Sequence, residues 1–178
     1  GTLEANITLR DTTLPAGQAQ LDEFAQTLSS RFAQQGLTLF TDASGAVPTP
    51  TRPPAQGGYI GYAAAIQVNP AVAASPALVR DGTQAVAGSP TGASAFTPNP
   101  GGGPAGFTGL IQRVLSYALG SQAQAGVAQA PPATSGLGPA GTLSADYAPP
   151  ATLAGFAIAM VAAQAQDSAA TTTALGNE

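Results

Sequence analysis

Ile7, Leu14, Leu21 and Leu28 recur every seven residues near the start of the chain. Leu3, Phe24 and Phe32 extend the same apolar stripe, so the period predicts helix over about 3–35. Pro15 interrupts it. Its ring has no N–H and clashes with the preceding turn, which predicts two pieces, about Leu3 to Asp11 and Leu14 to Gln35. Thr12 or Thr13 is the expected N-cap of the second piece, and Gly36 its stop. The stripe suits a long antiparallel bundle or coiled coil, and Gly17 on it would let a neighbour approach closely.

Two further helices follow from the pattern. "FTGLIQRVLSYALG" puts Phe107, Leu110, Ile111, Val114, Leu115, Ala118 and Leu119 on one face, a helix over about 107–119. Thr152 caps an Ala-rich helix over about 152–174, with Leu153, Phe156, Ala157, Met160 and Val161 facing inward. Between the first two helices the period changes. "LTLFT" (37–41) and "YIGYAAAIQVN" (59–69) have strand composition and predict an antiparallel ribbon over about 37–69. Segments 42–58, 83–106 and 121–141 are rich in Pro, Gly, Ser and Ala and predict flexible loops. A short strand is expected over 142–147. The fold class is α+β, a mostly helical, bundle-like single domain over 1–178, with Gly1 and the abrupt end pointing to a piece of a longer protein.

"VNPAVAASPALVRDG" (68–82) has its own logic. Asn69-Pro70 ends a strand. Ser75 and Pro76 can start one helical turn as N-cap and first residue, Leu78 and Val79 dock it, and Gly82 closes it in a left-handed conformation. Arg80 is expected to bond loop carbonyls and Asp81 to cap nearby backbone amides, which makes the pair a clasp.

Composition narrows the function. The chain has no Cys, His, Trp or Lys. A cysteine nucleophile, a thiolate metal site, the usual general base and a P-loop lysine are therefore excluded. Five arginines against nine acids give a net charge of -4, which argues against nucleic acid as a partner. The most apolar segment, 151–163, is well short of the roughly 20 residues a spanning helix needs, so no membrane is expected as a partner.

The remaining candidate chemistry is thin. "GGGPAG" (101–106) formally matches G-x-G-x-x-G, but no strand precedes it, Pro104 removes an amide, and the next acid, Asp146, lies far beyond the expected distance of about 20 residues. Asp22-Glu23 are helix neighbours about 100° apart, which cannot share a site as a glycosidase pair does and read as a solvated face. "DASG" at Asp42 begins like a calcium loop and lacks the later carboxylates. "NIT" (6–8) is a formal glycosylation sequon inside a helical pattern. No catalytic, cofactor-binding or metal residue is assigned, and no enzyme is expected.

The run "TLEANITLRDTTLPAGQAQLDEFAQTLSSRF" resembles the flagellar hook-associated protein family of the hook–filament junction. That family's pattern L-x-A-x-x-x-L-R-D-x-x-L-P, followed by Q-x-Q-L-D, is matched by Leu3, Ala5, Leu9, Arg10, Asp11, Leu14, Pro15, Gln18, Gln20, Leu21 and Asp22. "IQVNPAVAASPALVRDG" is similar to a second segment, where a strand ends in V-N-P-x-V before an L-x-R-D-G step. "AQAQDSAATTTAL" resembles the helix before the family's C-terminal motif, and Phe107 to Leu119 matches loosely. Together these cover roughly half of the chain. The family's terminal polymerisation helices, rich in Asn and Gln, have no counterpart here.

The resemblance implies a non-enzymatic building block of the bacterial flagellum. It would be exported by the flagellar type III apparatus, an export chaperone binding the missing terminal region, and would lie outside the cell. It would self-associate in a ring and contact the hook protein and the next hook-associated junction protein. The absence of Cys suits a chain exported unfolded. A rival reading is a secreted adhesin-like or carbohydrate-binding module using loops 42–58 and 83–106, with Tyr59, Tyr62 and Phe96 as stacking surfaces.

Overall fold

The chain is described from a computed structural model, which covers residues 2–176. Its first element is one continuous helix rather than two pieces. α1 (Thr2–Thr8) passes through a π-helical segment (Leu9–Thr13) into α2 (Leu14–Gln34). Pro15 does not break it, because the preceding turn widens: the Leu14 N–H reaches back to the Leu9 carbonyl. A wider turn removes the register in which the proline ring would collide with the carbonyl one turn earlier. Thr13 is itself helical and makes no side-chain cap. Gly36, at φ 99°, ends the helix as expected.

β1 (Phe40–Thr41) pairs antiparallel with β2 (Gln67–Val68). The ribbon is shorter than expected. Tyr59 to Ala65 is not strand: it forms turns and α3 (Tyr62–Ala65), which begins at Gly61 with φ 80°. The reason is packing. Tyr59 and Tyr62, three residues apart, both bury against Ala25 of α2, and an extended strand would put them on opposite faces.

α4 (Pro70–Ala74) and α5 (Leu78–Asp81) follow. The proline-flanked stretch therefore holds two short helices instead of one turn. Asn69 caps the first, accepting from the Ala71 N–H, and Val72 is the residue that docks it. Val79, expected inside, is 38% exposed.

α6 (Gly109–Arg113) continues through a second π segment (Val114–Ala118). Its inner edge is Phe107, Leu110, Val114 and Ala118, while Ile111, Leu115 and Leu119 of the expected face lie outward. Residues 121–144 contain two small hairpins, not a bare linker. β3 (Gln122–Gln124) pairs with β4 (Val127–Ala128), and β5 (Ser135–Leu137) with β6 (Leu143–Ser144). Loop 83–106 is closed by a bridge between Val86 and Phe96.

α7 (Leu153–Gly176) starts with the Thr152 hydroxyl accepting from the Gly155 N–H. Leu153, Phe156 and Met160 face inward; Val161, expected with them, is 65% exposed. The observed class is α+β and mostly helical, with two-stranded antiparallel sheets. No described helix is long and apolar enough to cross a membrane.

The core joins α2 to everything else. Phe32, Leu37, Phe96, Leu110, Ala118 and Leu153 form one buried cluster. Edge-on ring pairs extend it, Phe24 to Phe156 at 5.3 Å and Phe32 to Phe40 at 5.6 Å. Phe96 crosses two positive-φ glycines, Gly36 and Gly82. A Cβ at Gly82 would stand 2.9 Å from the ring, so the close approach needs glycine there.

Candidate functional site

The polar face of α2 is where the chain spends its buried polar groups. Asp22 and Glu23, expected on a solvated face, are 2% and 4% exposed. Both hold the 59–63 segment, and Glu23 also reaches the loop at Ala133. Asp22 accepts from the N–H of Gly61 at 2.7 Å, the N–H of Ala63 at 2.9 Å and Nε2 of Gln18 at 3.0 Å. Glu23 accepts from the Tyr59 hydroxyl at 2.6 Å and the Ala133 N–H at 2.7 Å. The helical 100° offset that forbids a shared site lets the neighbouring carboxylates grip 59–63 at different points while Glu23 also reaches Ala133. Gln56, fully buried, donates to the Ala19 carbonyl and accepts from the Gly138 N–H. Burial, with the Glu23 bond second, raises the Tyr59 pKa. Burial likewise lifts Tyr147 to about 12, with the Glu23 charge adding to it.

Beside this network lies a cleft of about 250 Å³. Its floor is one stripe of α2, Glu23, Gln26, Thr27, Ser30, Arg31 and Gln34, and its walls are Pro50, Arg52, Tyr59 and loop residues 129–133. A larger groove of about 790 Å³ runs between the first helix, Leu9 to Leu21, and α7, Ala163 to Thr172. Gly17 lines it, but a Cβ there would meet nothing within 4 Å, so its expected role in close packing is not met within the chain.

The Arg80–Asp81 clasp is well defined. Nε and Nη2 of Arg80 donate to Asp81 at 2.7 and 2.8 Å, and Nη1 donates to the Ala105 carbonyl at 3.2 Å. Asp81 also accepts from the Asn99 side chain at 2.8 Å. The Arg80 guanidinium, helped by the Asn99 amide, holds the Asp81 carboxyl at about 2. The clasp thus closes 99–105, the glycine-rich run, back onto α5. That run bears no dinucleotide geometry: what precedes it is loop and bridge, not a strand entering a helix.

Asp42 bonds its own turn, accepting from Ser44 and Ala46. Among the described residues no group of three metal-ligating side chains gathers. Tyr59, Tyr62 and Phe96 are at most 9% exposed, so none offers the stacking surface the rival reading needs. Sequence reasoning missed Gln56, Arg31 and Gln35 as buried polar groups. The one available signal was that they are polar residues within or beside otherwise apolar packing segments.

These features define a class: a helical α+β domain whose long loops are tied by buried polar side chains to a single central helix. Comparison with protein-family models, with curated proteins and with solved structures finds no match to this chain.

Proposed function

We propose that the chain is a structural, non-enzymatic subunit of the bacterial flagellum that joins hook to filament outside the cell. The observation that carries this reading is the outward apolar stripe of the first helix. Leu3, Ile7, Leu14 and Leu21 are 76%, 45%, 60% and 40% exposed, along the run that resembles the junction family. A ladder of apolar side chains left bare by the chain's own fold suits lateral contact with neighbouring subunits. α2 also packs beside α7, so helices from opposite ends of the sequence lie together, which suits a subunit built along one axis. Many modest contacts repeated around a ring would supply the strength.

The test is genetic. Removing the segment for this chain from the parent gene in a flagellated host should leave hooks without attached filaments in electron micrographs. Filaments attached normally would end the proposal.

A further inference from the structure

The chain has five cations, all arginines, and three are matched internally. Arg10 and Arg80 each pair with the aspartate that follows. Arg113 bonds Ser94 and the carbonyls of Gln35 and Ala95, and lies 5.2 Å over the Phe96 ring. Among the described residues Arg31, Arg52 and Arg113 all lack a carboxylate partner, and of these Arg31 and Arg52 line the 250 Å³ cleft. Arg31 is only 3% exposed, yet a single nitrogen, Nη1, bonds two backbone carbonyls, Ala151 at 3.1 Å and Gly120 at 3.4 Å. Burying a guanidinium without a counter-charge costs desolvation that two neutral acceptors offset poorly.

The other groups around the cleft select the ligand. Glu23 brings one negative charge, but its oxygens already hold the Tyr59 hydroxyl and the Ala133 N–H. The walls therefore carry a net charge of about +1, fitted to a single anion. Gln26 and Gln129 spend their amide nitrogens on backbone carbonyls, which leaves their oxygens as acceptors. Gln34 lines the mouth with no hydrogen bond among the described residues.

We infer that this cleft binds a small hydroxylated carboxylate, of the size of one sugar-acid unit. Arg52 is the direct partner of the carboxylate, Arg31 adds positive charge from the α2 floor, and the glutamine oxygens accept from ligand hydroxyls. A free sugar acid and an acidic side chain of a partner polypeptide share this carboxylate chemistry. The inference goes beyond the junction role and stands whether or not that role holds.

Calorimetric titration of the whole chain separates the cases. Glucuronate should bind saturably, glucose should not, and Arg52→Gln should weaken glucuronate by about tenfold or more. Arg52 is exposed, so that variant should keep the parent melting temperature. Binding of a blocked glutamate in place of glucuronate overturns the hydroxyl recognition, and with it the inference. No binding of either acid, equal binding of glucose, or an Arg52→Gln variant of unchanged affinity overturns the inference.

Discussion

Thr41 is fully buried in β1, and its hydroxyl has no hydrogen-bond partner among the described residues. An orphaned hydroxyl costs roughly 1–3 kcal/mol, so Thr41→Val, of equal shape and good strand propensity, should raise the melting temperature by about 2–4 °C. A lower melting point would mean that the hydroxyl is satisfied after all. Glu23→Gln tests the opposite case. The new amide can keep its oxygen on the Ala133 N–H only by turning its N–H to the Tyr59 hydroxyl, which must then donate to the Ala55 carbonyl alone; with the charge-assisted bonds lost, thermal denaturation should show a loss of about 2 kcal/mol. At Asp81 the expected effect is on pH. Its folded pKa is depressed, so the stability it contributes is complete above about 4 and is lost as pH falls towards about 2. Arg80→Ala should move the Asp81 titration, followed by carboxyl carbon NMR, up into the ordinary carboxylate range. An unmoved midpoint would sever the pair.

Elements here are held from the side. α3 and the turn before it stay on α2 because Asp22 accepts from the Gly61 and Ala63 amides, not because 59–65 prefers a helix. Asp22→Ala should raise hydrogen exchange at those two amides by at least about tenfold while leaving the Phe32 cluster protected. Exchange that stays slow would show that the two tyrosines alone hold the segment. The helices themselves were legible, since their apolar period is local. The hairpins of 121–144 were not. Each strand is two or three residues long, too short to show a period, and its pairing partner is a chance neighbour until the turn closes. The buried carboxylates were equally hidden, because a helix pattern cannot say which loop will return to cover its polar face.

For the whole molecule, the exposed stripe of the first helix makes the junction proposal testable without touching the core. Leu14→Asp together with Leu21→Asp should leave the melting temperature within about 1–2 °C, since both side chains lie outside, and should abolish attachment of filaments. Retained attachment would place the subunit contacts elsewhere. What the sequence by itself determined is the set of long helices, the α+β class and the lack of His and Cys chemistry, because these follow from local periodicity and from residues that are simply absent. What only the tertiary structure decided is which polar groups are buried, how the proline- and glycine-rich loops are fastened, and that two arginines lacking a carboxylate partner among the described residues line one cleft. Those depend on residues up to 120 positions apart meeting, as Arg31 and Ala151 do, and no local pattern encodes such a meeting.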